Sequence, residues 1–151
     1  MPPQLKMIVV EDELHSNAPH IKLLNSLNYR YMIGTKPDDH KWLFEWVKAS
    51  KCEEISLKKE KIEHRFKWIN DVPLNASHED IRVNFIEYWE VEEKGKIQHF
   101  TWVTDIKVTK DNIYKLMRGA RARWRIENET FNTLKIKDII LNTILVMVIK
   151  I

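Results

Sequence analysis

An apolar run from Met7 to Val10 that stops abruptly at Glu11 and Asp12 is the feature that most limits the possible folds. An uninterrupted apolar run of this length is typical of a buried strand. Acidic residues that follow such a strand lie where open α/β sheets place their active sites. We therefore expect an early strand that ends at a functional position.

The sequence after this strand predicts a helix, a second strand and a second helix. Ser16 or Asn17 can cap the first helix, and Pro19 suits its first turn. Residues 29–34 alternate as in a strand, and residues 40–50 fit a second amphipathic helix. The apolar faces of the two helices comprise Ile21, Leu24 and Leu27, then Leu43, Trp46 and Val47. This order indicates an α/β fold.

The middle of the chain changes character. Charged residues are dense from Cys52 to Asn75, whereas Ile81 to Ile106 is rich in aromatic and β-branched residues. Gly95 lies between the two halves of this second segment, which predicts a long hairpin with a turn at residues 92–96. Its aromatic residues, notably Trp89 and Trp102, either pack internally or contact flipped bases, and packing is the favoured interpretation.

Helical sequence returns at Thr109, which can cap a helix, and Gly119 can mark a break between two helices. Arg123, Glu127, Phe131 and Lys135 follow at four-residue spacing and form one stripe. Further cations precede Glu127 at Lys115, Arg118, Arg121 and Arg125. A carboxylate among cations fits a catalytic or phosphate-binding helix, but in an arbitrary helix it is more often part of a salt-bridged surface.

Composition excludes several classes of protein. The chain has 151 residues, 44% of them hydrophobic, which suits one folded domain. The single cysteine, Cys52, excludes a disulfide framework and a cysteine-cluster zinc site, and the six histidines lack the spacing of zinc ligands. The net charge of +3 is weak evidence for a nucleic-acid partner, and no segment predicts a membrane span.

The segment Arg-Trp-Arg-Ile-Glu-Asn (residues 123–128), followed by Leu134 and Lys135, resembles the last motif of bacterial insertion-sequence DDE transposases. That motif reads Tyr, two residues, Arg, three residues, Glu, six residues, Lys. Asp12 to Ser16 resembles the family's sequence around its second aspartate, so the resemblance covers roughly residues 7–135. Ala120 stands where the family has Tyr, Lys135 is one place late, and no earlier strand supplies the first aspartate.

The resemblance implies an α/β fold: a partial RNase H-like catalytic domain over residues 1–135, with a β-rich insertion at about 52–106. It implies two Mg²⁺ ions that clamp the attacking and leaving oxygens of a phosphodiester. Asp12 and Glu127 would be catalytic metal ligands, within roughly 8 Å of each other, and Glu129 is the alternative third acid. Arg121, Arg123, Arg125 and Lys135 would contact DNA phosphates, and the alternative role of Arg123 is to orient Glu127.

The implied partner is transposon-end DNA, with a homodimer in the intact family, and the implied location is the bacterial cytoplasm at the nucleoid. With two of three acids, the chain alone should not cleave DNA. Without the earlier strands, one sheet edge should be open and favour aggregation. The alternatives are a non-catalytic DNA-binding remnant and the functionless product of a decayed gene. A response to metal separates the enzyme from the remnant.

The sequence changes again after Lys135, where Ile, Leu, Val and Met occupy eleven of the last sixteen positions. Transposases that resemble this chain continue after Leu-Lys with a segment like NQGYNFEHNFGHG. An AT-rich coding of that segment, read one base later, translates as IKDIILNTILVMV, which is the sequence from Ile136 to Val148. We interpret residues 136–151 as a frameshifted tail.

We predict that the gene, read in the original frame beyond the Lys135 codon, encodes an NQGY-like segment. Thirteen consecutive matches in one shifted frame are difficult to obtain by chance. The nucleotide sequence of the gene is the measurement. A different segment in that frame would make the tail a genuine structural element.

Overall fold

The computed structural model describes residues 5–11, 16–122 and 144–150, with only the backbone for residues 5–7 and 144–150. Strand β1 (Leu5–Glu11) precedes helix α1 (Ala18–Ser26), strand β2 (Arg30–Gly34) and helix α2 (Lys41–Ala49). Four strands follow: β3 (Glu53–Lys59), β4 (Ile62–Asn75), β5 (His78–Glu92) and β6 (Ile97–Thr104). Helix α3 spans residues 113–122, and strand β7 is Ile144–Lys150.

All the described strands form one mixed sheet in the order β3-β4-β5-β6-β2-β1-β7. Strands β1 and β2 are parallel, as their connection through α1 requires, and the other neighbours are antiparallel. The predicted α/β class is confirmed as a mixed α/β fold.

Helices cover both faces of the sheet and create two cores. On one face, α1 and α2 bury a cluster that includes Ile21, Leu43, Ile33, Phe85 and Val103. On the other face, α3 buries a cluster that includes Ile113, Met117, Phe66, Ile86 and Tyr88. Strand β5 contributes to both cores because successive side chains point to opposite faces.

A β-bulge lets β4 serve both cores as well. Its pairing with β5 shifts register between Ile69 and Val72, and Asp71 adopts a left-handed φ of 58°. Before the bulge, Phe66 and Trp68 face α3. After it, Val72 and Leu74 face α1 and α2, because one extra residue reverses the alternation.

Two asparagines fix the segment that leads from β6 to α3. The Asn70 amide donates to the Val108 carbonyl and its Oδ1 accepts from the Val108 N–H, each at 2.9 Å. Asn84 donates to the carbonyl of Ile106 at 2.8 Å. These bonds pair backbone groups of Ile106 and Val108 that lie outside the strands. The path of the chain into α3 therefore depends on the region of the β4 bulge.

Helix α1 agrees with the sequence in its cap, whereas the outer faces of α1 and α2 differ from the prediction. Asn17 caps α1 by accepting from the N–H of His20 at 3.0 Å, as predicted. Leu27 and Trp46, predicted on apolar faces, are 52% and 43% exposed. The reason is that α1 ends before Leu27, and Trp46 stacks on Trp42 at the solvent side of α2.

The predicted hairpin is confirmed as β5 and β6, and Gly95 supplies the turn with a φ of 94°. The charged segment before it, to which the sequence gave no element, forms a second hairpin of β3 and β4. Its two-residue turn consists of Glu60 and Lys61, with left-handed φ values of 50° and 70°.

Helix α3 begins where the sequence predicts and continues where the sequence predicts a break. The Thr109 hydroxyl accepts from the Asn112 N–H at 3.2 Å, and Asn112 Oδ1 accepts from the Thr109 N–H at 2.8 Å. This reciprocal pair is a capping box. The predicted break at Gly119 is wrong, because the helix continues through it to residue 122.

Strand β7 pairs with β1 along its whole length, from Leu5↔Lys150 to Glu11↔Ile144, so β1 is an inner strand of the described sheet. The expected open sheet edge and the expected aggregation stay predictions. Strands β3 and β7 are the outer strands of the described sheet. The boundary at Lys135 lies outside the described residues. Within the described ranges, no helix combines the length and the apolar character needed to cross a membrane.

Asn70→Ala should lower the free energy of unfolding by roughly 1–3 kcal/mol, because it leaves the buried N–H and carbonyl of Val108 without their partner. Asn25→Ala, at an exposed position of α1, is the matched control and should change stability little. Urea denaturation measures both. Equal stability of the two variants would contradict the assignment.

Candidate functional site

The carboxyl ends of the parallel strands β1 and β2 meet at one edge of the sheet. Glu11 is the last residue of β1, and Thr35 follows β2. Both residues are buried. This is the edge at which the sequence predicted a functional position.

Glu11 is a buried acidic residue with a histidine partner within reach. His20 Nε2, on α1, lies 2.5 Å from Glu11 Oε2. A buried carboxylate needs such a partner, since desolvation of an unpaired charge is costly. The contact therefore fixes the end of β1 against α1 and engages the carboxylate of Glu11 within the fold.

A second histidine fixes the other end of the connection that contains Asp12. His40, just before α2, lies with its Nε2 2.9 Å from the Ser16 hydroxyl, and both residues are buried. Burial lowers the pKa of His40, although the bond to Ser16 acts in the opposite direction. Residues 12–15 thus connect two anchored points, Glu11 and Ser16.

Most predicted site residues lie outside the described residues. They are Asp12, Arg123, Arg125, Glu127 and Lys135, together with the alternative acid Glu129. The predicted approach of Asp12 to Glu127 and the charged stripe beyond residue 122 therefore stay predictions. In the part of the chain that the structure describes, no group of three or more His, Cys, Asp or Glu residues could hold a metal.

Arg121 is described, and its guanidinium has an internal partner. Its Nη1 donates to Glu90 Oε1 at 2.6 Å, and its guanidinium lies 4.8 Å from the centroid of the Phe100 ring. Glu90 is only 8% exposed. A charge-assisted bond to a buried carboxylate gives Arg121 a structural role, while its predicted contact with DNA stays a prediction.

The Glu90 carboxylate continues into a chain of hydrogen bonds. Tyr88 donates its hydroxyl proton to Glu90 Oε1 at 3.1 Å, and His64 Nδ1 lies 2.5 Å from the same hydroxyl. Burial is the larger cause of a raised pKa for Tyr88, and the negative charge of Glu90 adds to it. The Tyr88 hydroxyl therefore stays protonated. Because that proton goes to Glu90, His64 is the donor to Tyr88.

The two tryptophans named from the sequence have different surroundings. Trp102 is buried and stacks on Phe100 at 5.6 Å, so packing is confirmed there. Trp89 is half-buried and stacks on His99 at 5.2 Å on the opposite face of the sheet.

His20, His40, Ser16 and Glu90 were not identified from the sequence as members of any site. Their partners come from other elements, and Glu90 and Arg121 are 31 positions apart in the chain. Scattered histidines carry no spacing signal when each one pairs separately. Only the acids at the end of an apolar strand could be found from local sequence.

No family model and no curated protein matches this chain.

Acidification should destabilise the protein partly through His40. The pKa of His40 is lower in the folded protein, so the unfolded chain binds more protons and the free energy of unfolding falls as pH drops below about 6.5. His40→Gln can keep a bond to Ser16 and should show a smaller loss between about pH 7 and pH 5. Urea denaturation at both pH values measures this. An equal loss in wild type and variant would contradict it.

Proposed function

We propose that the chain is part of a DDE transposase catalytic domain that acts on DNA with Mg²⁺. The observation that carries the proposal is Glu11, the last residue of β1, beside the parallel strand β2. Asp12 is the next residue in the sequence. Combined with the Arg-Trp-Arg-Ile-Glu motif at residues 123–127, it matches the order of the family's second and third acids.

The position of the antiparallel strands supports the same proposal. Strands β3 to β6 cover Glu53–Thr104, between the β1–β2 unit and α3. In the family an insertion lies between the second and third acids, and the sequence placed it at about 52–106. We interpret β1, α1 and β2 as belonging to an RNase H-like sheet, with β3 to β6 as its insertion.

The pairing of Glu11 favours Asp12 as the metal ligand. The Glu11 carboxylate is engaged with His20, whereas Asp12 is the next acid along the chain. Mg²⁺ prefers carboxylate oxygen, which both Asp12 and Glu127 provide. When bound, a metal pair stabilises the attacking and leaving oxygens of the phosphodiester. Arg123, Arg125 and Lys135 would position the DNA through its phosphates.

The second candidate is a DNA-binding protein without catalysis. The chain contains two of the three acids of the family, and exposed Lys115 and Arg118 on α3 add cations before the motif. Phosphate binding needs only cations, so this function survives the loss of an acid. In both candidates we expect the chain alone not to cleave or join DNA.

Arg123→Ala should weaken binding to a short mixed-sequence duplex and reduce the slope of log affinity against log salt by about 1, because one phosphate contact is lost. Lys135→Ala should act similarly. Arg121→Ala is the contrasting variant, since loss of its bond to Glu90 should mainly lower stability. Fluorescence anisotropy across a salt series and urea denaturation measure these effects.

Metal separates the two candidates in the same experiment. Mg²⁺ should strengthen DNA binding by the wild type and have no such effect on Asp12→Asn or Glu127→Gln if the transposase proposal is correct. Salt-dependent binding without any metal response would favour the non-catalytic protein. Affinity that does not change with salt would contradict both, and Mg²⁺-dependent cleavage by the purified chain would contradict the expected inactivity.

A further inference from the structure

A cleft of about 680 Å³ lies between α3 and the end of the β3–β4 hairpin. Its wall includes Lys59 on the hairpin and Tyr114, Arg118 and Arg121 on α3, while His64 and Glu90 line its interior. A cleft of this volume is within the range that holds nucleotide-sized ligands.

Two cations of the cleft converge on one aromatic ring. Lys59 Nζ lies 3.8 Å from the centroid of the Tyr114 ring, and the central guanidinium carbon of Arg118 lies 6.0 Å from it. Within the described part of the chain, neither Lys59 nor Arg118 forms an ion pair with a carboxylate. Two cations near one ring make the electrostatic potential there positive, and a bound anion would lower it.

The carboxylate inside the cleft has other partners within the fold. Glu90 already accepts hydrogen bonds from Arg121 and Tyr88. His64, 6% exposed, donates to Tyr88 and fixes the interior wall. Glu60 is the other acid that lines the cleft, and it lies in the hairpin turn.

The two-residue turn of the β3–β4 hairpin follows directly after Lys59. Glu60 and Lys61 both adopt left-handed φ values, as a tight hairpin turn requires. The hairpin thus sets the position of Lys59 in the wall of the cleft.

We propose that this cleft binds a phosphate group of a nucleotide-sized or longer ligand, held between Lys59 and Arg118 at the Tyr114 ring. The tetrahedral oxygens of a phosphate can accept from two cations that approach from different directions, and the arginine fork suits phosphate. The source of the phosphate is a free phosphate compound or a nucleic-acid backbone. Lys59 and Arg118 lie outside the transposase motif, so a free phosphate ligand goes beyond the proposed function, whereas a nucleic-acid backbone in this cleft rests on it.

The test compares two double variants of the full chain with the same change in charge. Lys59→Gln/Arg118→Gln removes the two cleft cations, and Lys94→Gln/Lys96→Gln removes two exposed lysines around the β5–β6 turn. All four side chains are exposed, so neither pair disturbs a core. Pyrophosphate is titrated by ¹H–¹⁵N NMR, and a short mixed-sequence DNA duplex by fluorescence anisotropy.

We expect the cleft variant to bind at least one probe about tenfold or more weakly than wild type, as for the loss of a charge-assisted hydrogen bond. The Lys94/Lys96 variant should stay close to wild type for that probe. In the NMR arm, amide shifts should be largest at residues 59–64 and 114–121.

The two probes identify the source of the phosphate. An effect on pyrophosphate alone supports a free phosphate ligand, and an effect on DNA alone supports a nucleic-acid backbone. Equal weakening by both double variants would overturn the site in favour of general charge. If the cleft variant binds DNA as tightly as wild type does, and pyrophosphate gives no response, the site is overturned but the proposed function is not. Absence of DNA binding in wild type would count against the proposed function. The pyrophosphate titration alone would then decide whether the cleft binds phosphate.

Discussion

The pairing of β4 with β5 is the interaction on which the rest of the structure depends. These are the longest strands, with 14 and 15 residues, and they line both cores. The bulge at Asp71 lets β4 turn its apolar side chains from α3 toward α1 and α2. The adjacent Asn70 also anchors the approach to α3. One irregularity in one strand pair therefore couples the helices on the two faces.

The sequence predicted the helices and strands whose turn or cap residues lie within their own segment. The β5–β6 hairpin was predictable because β-branched and aromatic residues flank a turn with Gly95, and α1 because Asn17 and Pro19 mark its start. The β3–β4 hairpin was not, because β3 is an outer strand with mostly charged or polar side chains and the turn Glu60–Lys61 lacks the usual residues. Tertiary packing, rather than local preference, stabilises it.

The part of the candidate site that could be predicted consists of the acidic residues that directly follow an apolar strand. Acids after an apolar run could be identified, whereas the contacts of His20 with Glu11 and of His40 with Ser16 depend on how helices pack at the β1–β2 edge. Arg121 shows the same limit. A run of cations suggested a contact with an external anion, but a buried carboxylate from a distant strand is its partner in the fold. Charge alone cannot distinguish an internal partner from an external one.

The pairing of β1 with β7 has a consequence for synthesis of the protein. The sequence of β2 is complete once Gly34 has been added, whereas the partner of Leu5 is Lys150, near the other end of the given sequence. At typical rates of translation this interval is on the order of ten seconds. During that time one side of an apolar strand has unpaired backbone groups, which other chains can occupy. The nascent chain therefore has a period of vulnerability on the ribosome that the finished fold no longer has.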